Sequence, residues 1–155
     1  MENLLKNVES QLKALRTFDT PSVRKASAKI YRAMKDVSFE EFLKRCETML
    51  KTENWSHKMM AFDWAHRRRR EFTKKTFDVF KRWLFDYVKD WSDCDDFCTH
   101  ALGELFKMYP SFFDRVFACM KSERFPVRRA EAVVSFCPYA GVSTTNNRCF
   151  PLRRL

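Results

Sequence analysis

The chain has 155 residues, of which 45% are hydrophobic and 15% aromatic, which is enough apolar material for one domain with its own core. It contains only two glycines and five prolines, whereas sheet-rich folds need frequent turn residues and nucleotide-binding loops need clustered glycines. Thirty Lys and Arg against twenty Asp and Glu give a net charge of +10, which attracts polyanions. This composition excludes a disordered tail, disfavours Rossmann and P-loop sites, and favours nucleic acid or acidic membranes as partners.

No uncharged stretch approaches the roughly 20 apolar residues of a membrane span, so we predict that the protein does not bind a membrane. The first 15 residues carry four charged side chains among their leucines, unlike a secretory signal. The four arginines at 67–70 are typical of a solvated basic turn or an import signal. We therefore predict an intracellular protein, cytoplasmic in a prokaryote or nuclear in a eukaryote.

Neither the cysteines nor the histidines have the spacing of metal ligands. None of the six cysteines forms a Cys-x2-Cys pair, and the three histidines match no standard constellation with Asp or Cys. We predict that the cysteines are reduced core residues, since free cysteine is commonly buried. We expect no metal and no other cofactor.

Apolar residues recur at intervals of three and four along most of the chain, which predicts amphipathic helices joined by short links. The first helix is predicted over 4–15. A second begins at Pro21, where the missing N–H costs nothing, and ends near Asp36. Ser38 followed by Glu41 is a capping box and predicts the start of a third. Most helix starts thus carry a local chemical signal as well as an apolar stripe.

Asn54 is the predicted cap of a fourth helix, and two more are predicted over 76–89 and 92–109. Prolines at first-turn positions, Pro110 and Pro126, open the last two. Helices of this length with links of only a few residues favour antiparallel neighbours, as in a helical bundle or a HEAT-like solenoid.

We therefore predict an all-α fold, a HEAT-like helical-repeat solenoid of about eight helices. A single helical-repeat domain is expected over 1–138, followed by an irregular C-terminal tail over 139–155, where the helical period is lost. The chain is expected to be a monomer, although an exposed last repeat would equally invite dimerisation.

The run Trp-Ser-Asp-Cys-Asp-Asp-Phe-Cys-Thr at 91–99 resembles the central motif of the AlkD-like DNA alkylation-repair glycosylases. The segments at 61–65 and 127–130 resemble the neighbouring family helices, in the same order, and 20–24 is a weaker match. The resemblance covers about residues 18–138 and implies a curved stack of HEAT-like helix pairs.

The resemblance implies hydrolysis of the N-glycosidic bond of cationic alkylated purines, such as 3-methyladenine and 7-methylguanine, in double-stranded DNA, without a base-flipping pocket. By position it implies that Asp95 is the catalytic carboxylate, that Trp91 lies against the deoxyribose, and that Arg129 faces the lesion phosphates. A cationic purine leaves as a neutral base, so the harder requirement is to stabilise the oxocarbenium-like sugar, which a carboxylate does electrostatically. Trp91 and Asp95 are four residues apart and are expected on the same side of one helix.

A purely structural interpretation stays open for these residues. Asp93, Asp95 and Asp96 near a helix start would also complement the helix dipole, and an isolated Trp is more often packed in a core. The backbone of bound DNA would be contacted by exposed cations, and the predicted contacts are Arg128, Lys58, Arg67, Arg68, Lys74 and Lys107.

The alternative function is a non-catalytic HEAT-like scaffold that binds nucleic acid or an acidic protein partner through a basic face. The family continues with further helices that carry another aromatic residue of the DNA-facing cleft, whereas this chain continues into an unrelated tail. That departure favours the scaffold.

Overall fold

The computed structural model describes residues 2–112, 115 and 122–135, and all regular secondary structure among them is helical. The all-α prediction is therefore confirmed. The helices, in chain order, are α1 (Glu2–Lys13), α2 (Thr20–Arg32), α3 (Phe39–Leu50), α4 (Trp55–Arg67), α5 (Thr76–Asp86), α6 (Trp91–Phe97), α7 (Gly103–Met108) and α8 (Phe125–Ser135).

Helices α6 and α7 are the two ends of one continuous helix over 91–108, joined by a π-helical segment, Cys98–Leu102. Short 3-10 turns, Arg69–Glu71 and Pro110–Phe112, follow α4 and α7. The helix predicted to begin at Pro110 starts with the second of these turns, and most of its remaining length lies outside the described residues.

Four helix starts are fixed by side-chain caps whose oxygen accepts a hydrogen bond from a backbone N–H of the first turn. They are Asp19, Ser38, Asn54 and Asp90, with N···O distances of 2.8, 3.3, 2.9 and 2.9 Å. Such a cap stabilises a helix by about 1 kcal/mol. Ser38 and Asn54 were predicted from the sequence, and both predictions are confirmed.

The helix ends agree less closely with the predictions than the starts. Helix α2 ends at Arg32, where Asp36 was predicted, and α5 ends at Asp86, where Lys89 was predicted. The residues after Arg32 form turns, in which the N–H of Met34 bonds the carbonyl of Tyr31 at 2.9 Å. An apolar stripe continues through such turns, so periodicity alone overestimates the helix length.

Alternate helices pack side by side in one row. Helix α4 contacts α2 on one side and α6 on the other, α6 contacts α8, and α1 and α3 pack against α2 and α4 respectively. A row of alternate helices with the intervening ones behind it is the arrangement of a helical-repeat stack. The HEAT-like subtype remains a prediction.

The core between the layers is aromatic. Helix α5 packs Phe80 against Phe97 of α6, with ring centroids 5.4 Å apart, and Trp83 and Phe62 lie beside them, fully buried. Because these large side chains meet from three helices, they fix the position of α6 against α4 and α5.

Three of the six cysteines lie in the described part of the chain. Cys46, Cys94 and Cys98 are buried free thiols, as predicted. Burial raises the pKa of the Cys46 and Cys98 thiols, which keeps them protonated. The other three cysteines and the predicted tail over 139–155 lie outside the described residues. Within the described helices, none has the length and apolar character required to cross a membrane.

Candidate functional site

The three residues with predicted catalytic roles meet where α6 packs against α8. Arg129 donates from Nε and Nη2 to the two carboxylate oxygens of Asp95, at 2.9 Å each. The guanidinium carbon of Arg129 lies 4.5 Å from the centroid of the Trp91 ring. One arginine of α8 therefore contacts both the carboxylate and the indole of α6. Trp91 and Asp95 lie on the same side of α6, as expected from their four-residue spacing.

This cluster is accessible to solvent. Trp91 is 59% exposed, and the side chains of Asp95 and Arg129 are 46% and 28% exposed. Trp91 is therefore not a core residue, and the alternative interpretation of Trp91 as a packed core side chain is wrong. The Arg129 guanidinium donates to Asp95 across the interface between α6 and α8. These hydrogen bonds raise the pKa of Arg129. A carboxylate, a fixed cation and an aromatic face are thus available together to a ligand.

Local contacts at the start of α6 hold the cluster in place. The Asp90 cap makes Trp91 the first helical residue. Asp93 turns inward, where its Oδ2 accepts from the buried Lys58 ammonium at 2.7 Å and from the Lys89 backbone N–H at 3.1 Å. The Cys94 thiol donates to the Pro126 carbonyl at 3.5 Å and so ties α6 to the start of α8. Asp93 thus has a structural role, as the alternative interpretation proposed.

Phe125, the first residue of α8, extends the cluster. Its ring stacks on Trp91 with centroids 5.4 Å apart and an angle of 26° between the planes. The guanidinium of Arg128 lies 5.9 Å from the Phe125 centroid and donates to the carbonyls of Ser122 and Glu123 at 2.7 Å each. Phe125 was not predicted from the sequence. Its only signal is an aromatic residue just outside the apolar stripe of α8.

A second group of charges lies across the same row of helices. Arg24 of α2 donates to Asp96 at 2.7 Å and lies 4.0 Å from Asp63, which also accepts from Arg67 at 2.8 Å. His100 lies 3.8 Å from Asp96. Burial raises the pKa of Asp96, and the Arg24 guanidinium opposes that shift. These pairs link α2, α4 and α6, so Asp96 has a different role from the neighbouring Asp95.

A small cavity lies between this charge group and the start of α6. Its volume is about 90 Å³, and Arg24, Trp55, Met59 and Asp96 are among the residues that line it. Trp91, Asp95 and Arg129 are not among its lining residues, so the cavity is separate from their cluster.

Two of the predicted DNA contacts are buried. Lys58 is 5% exposed and paired with Asp93, and Arg68 is 8% exposed. The Arg68 guanidinium bonds Glu71 and the Val37 carbonyl and lies 4.7 Å from the Phe42 ring. The predictions for Lys58 and Arg68 are wrong, because neither cation has a surface that a phosphate can reach.

The other predicted contacts remain predictions. Lys74 and Arg128 are exposed, and Arg67 is partly exposed beside Asp63. Lys107 is half-buried and donates to Glu104. Within the described ranges, no three His, Cys, Asp or Glu side chains are grouped as a metal site.

The sequence profile of the DNA alkylation repair enzymes matches residues 6–152. The chain belongs to this family. The resemblance is thereby confirmed at the family level, and the match extends beyond 18–138, so the expectation that the segment after 138 is unrelated to the family is wrong. Membership makes the chain a DNA repair enzyme with DNA as its partner. No curated protein and no solved structure matches it. The Trp91–Asp95–Arg129 cluster is accordingly the candidate active site of a DNA alkylation repair enzyme.

Proposed function

We propose that this DNA repair enzyme is a glycosylase that hydrolyses the N-glycosidic bond of cationic alkylated purines, such as 3-methyladenine and 7-methylguanine, in double-stranded DNA. The observation that carries the proposal is the exposed Asp95 carboxylate, which Arg129 holds at two points beside the face of Trp91. The geometry supplies one negative charge at a fixed position and one aromatic surface for a sugar.

In the proposed reaction the bond between C1′ and the purine nitrogen breaks, and its electron pair neutralises the positive charge of the base. The sugar develops oxocarbenium character, and the negative charge of Asp95 stabilises it while orienting a water molecule. The water oxygen then bonds C1′, and one water proton is released to solvent. The indole face of Trp91 adds cation–π stabilisation of the developing charge.

Arg129 is proposed as a positioning residue that also binds DNA. A guanidinium has five N–H donors, and the two hydrogen bonds to Asp95 use only two of them. The remaining donors are available to a backbone phosphate, for which guanidinium geometry is well suited. The same side chain would thus hold the carboxylate and place the lesion nucleotide against it.

The second candidate is a non-catalytic scaffold that binds nucleic acid or an acidic protein partner. The specific observation that favours it is the same pair, because both oxygens of Asp95 are already engaged by Arg129. A carboxylate with both oxygens bonded to Arg129 would have a structural role, in which it joins α6 to α8 and fixes the position of Arg129 on a basic surface.

The test is release of 7-methylguanine from methylated duplex DNA by the purified protein. Asp95→Asn keeps the shape and removes the charge, and Asp78→Asn removes a charge from an exposed position of α5 as the matched control. We expect Asp95→Asn to slow release about 10²- to 10³-fold, the typical cost of removing one electrostatic group from such a site, and Asp78→Asn to have no effect.

Full-rate release by Asp95→Asn would remove Asp95 from the mechanism. A folded wild-type protein that binds DNA but releases no base would favour the scaffold. Equal affinity for intact duplex and for duplex with an abasic site would support the same conclusion, because an enzyme of this kind must prefer a distorted sugar to an intact one.

A further inference from the structure

We propose that Arg24 of α2 is a second phosphate-binding residue of the site, so that Arg24 and Arg129 bind the two phosphates that flank the lesion nucleotide. The inference deepens the proposed function, because it adds a DNA contact on the side of α6 opposite to α8. It rests on the proposed position of the lesion sugar against Trp91 and Asp95. Base release is measured separately below.

Two consecutive carboxylates of α6 are bonded by arginines from opposite sides of that helix. Arg129 of α8 donates to Asp95 at 2.9 Å, and Arg24 of α2 donates to Asp96 at 2.7 Å. Helix α8 packs on one side of α6, and α4 with α2 beyond it lies on the other. A nucleotide has one phosphate on the 5′ side of its sugar and one on the 3′ side. Two guanidinium groups on either side of α6 match that arrangement.

The Arg24 guanidinium keeps both surface and donors for a ligand. Its side chain is 36% exposed, compared with 28% for that of Arg129. One of its five N–H groups bonds Asp96, and the Asp63 carboxylate lies at 4.0 Å, beyond hydrogen-bond distance. The remaining donors are therefore available to phosphate oxygens, which a guanidinium can bind at two points.

The cavity of about 90 Å³ beside Arg24 adds hydroxyl groups to this surface. Thr20, the first residue of α2, and Ser92, the second residue of α6, line it together with Arg24, and both are exposed. Hydroxyl side chains and arginines are among the groups that commonly bind DNA phosphates. Because Ser92 directly follows Trp91, the cavity adjoins the position proposed for the lesion sugar.

Two carboxylates also line the cavity, but each is paired with a cation. Lys58 bonds Asp93 at 2.7 Å, and Arg24 bonds Asp96 at the same distance. These four side chains together carry no net charge. The net charge of +10 on the whole chain therefore determines the sign of the surrounding field, which attracts a phosphate.

The alternative is that Arg24 only joins α2 to α6. The two roles differ in their response to the loss of one phosphate charge. If Arg24 binds that phosphate, removal of the arginine and removal of the phosphate charge abolish the same contact, and the two losses do not add. If Arg24 is only structural, the two losses are independent and add.

The experiment measures binding of a duplex with a stable abasic analogue, and of two further duplexes with an uncharged methylphosphonate on the 5′ or the 3′ side of that analogue. The test variant combines Arg24→Gln with Asp96→Asn, which removes both charges of the pair and leaves the net charge of the protein unchanged. The matched control combines Arg82→Gln with Glu47→Gln, because this pair has an N···O distance of 2.8 Å and joins α5 to α3, behind the row. Near-UV circular dichroism and thermal melting report whether each variant is folded.

We expect the test variant to bind the unmodified abasic duplex about tenfold more weakly, the typical effect of one hydrogen bond to a charged group. It should lose nothing further with one of the two methylphosphonates, and Arg129→Ala should lose nothing further with the other. The control should match the wild type on all three duplexes. If the test variant does not fold, Arg24→Lys takes its place, and we expect a smaller loss at the same phosphate, because an ammonium keeps the charge without the two-point geometry.

The proposal is overturned if the test variant binds as the wild type does, if its loss adds to that of each methylphosphonate, or if Arg24 and Arg129 couple to the same phosphate. Release of 7-methylguanine is measured on the same proteins. A wild type that releases no base but shows the two separate couplings keeps the phosphate contacts and rejects the glycosylase. A wild type that releases base without coupling at Arg24 does the reverse.

Discussion

Two ion pairs on α6, only two residues apart in sequence, differ in their exposure to solvent. Asp93 pairs with Lys58 at 2.7 Å, and their side chains are 4% and 6% exposed. Asp95 pairs with Arg129 at 2.9 Å, and their side chains are 46% and 28% exposed. Each pair joins α6 to another helix of the same row, α4 in one case and α8 in the other. Each pair joins a carboxylate to a cation, and we expect their different burial to give them different roles.

The buried pair has little contact with solvent, and besides Lys58 the Asp93 carboxylate accepts from the Lys89 backbone N–H. If one member is removed, a desolvated charge remains, which costs far more than an exposed pair contributes. In the exposed pair, we expect the N–H donors of Arg129 that do not bond Asp95 to bind a phosphate of DNA. We therefore expect the Lys58–Asp93 pair to control folding stability and the Arg129–Asp95 pair to control binding and activity.

The largest expected effect is on stability. Lys58→Ala should lower the free energy of unfolding by about 3–5 kcal/mol, because the buried Asp93 carboxylate loses its paired cation. Urea denaturation followed by circular dichroism measures the change. The double variant Lys58→Met with Asp93→Leu should recover most of the loss, since apolar residues of similar volume often replace a buried pair without cost. A loss below about 1 kcal/mol in the single variant would place this pair with the exposed ones.

The next effect concerns DNA. Arg129→Ala should change the urea midpoint little and should lower the slope of log affinity against log salt by about 1, as expected for one lost phosphate contact. Arg128→Ala is the neighbouring control, and its effect should be smaller because Arg128 donates to the carbonyls of Ser122 and Glu123. If Arg129→Ala destabilised the protein as much as Lys58→Ala, the distinction between the two pairs would fail.

A smaller effect should appear when pH is varied. Burial lowers the pKa of His57 and His66 below the ordinary value of 6.5, and for His66 the neighbouring His100 and Arg69 add to the shift. The unfolded chain therefore binds protons before the folded one as pH falls through 6.5. The contribution of these histidines to stability is present above that pH and is lost as pH falls toward their folded pKa. His66→Gln should flatten the decline in melting temperature between pH 6.5 and 5, and an unchanged profile would exclude His66 as a cause.

The smallest effect is expected from an exposed lysine outside both pairs. Lys74→Ala should leave the unfolding curve unchanged and reduce the salt slope of DNA binding by about 0.9, if Lys74 contacts one phosphate. Fluorescence anisotropy at several salt concentrations measures that slope. An unchanged slope would remove Lys74 from the DNA-binding surface.

The sequence predicted the helices well, because apolar periodicity and caps such as Ser38 and Asn54 are local signals. The candidate cluster was predicted through the family motif, and Asp95 and Arg129 do meet although 34 residues separate them. The roles of Lys58 and Arg68 could not be predicted, since a cation with a buried partner on another helix looks like any surface cation in sequence. Phe125 was missed for a related reason, because its stacking on Trp91 depends on how α8 packs against α6.

The π-helical segment Cys98–Leu102 makes the surface around Asp95 sensitive to the length of its helix. In a regular α-helix, Leu102 and Phe106 would lie on the stripe of Asp95, since they follow it by seven and eleven residues. They are instead 1% and 0% exposed, because a π turn takes in one more residue and rotates the following helix by roughly 100°. In a relative with a one-residue deletion in this segment, both apolar side chains would lie on the same side of the helix as Asp95. We expect such a relative to have polar residues at those two positions.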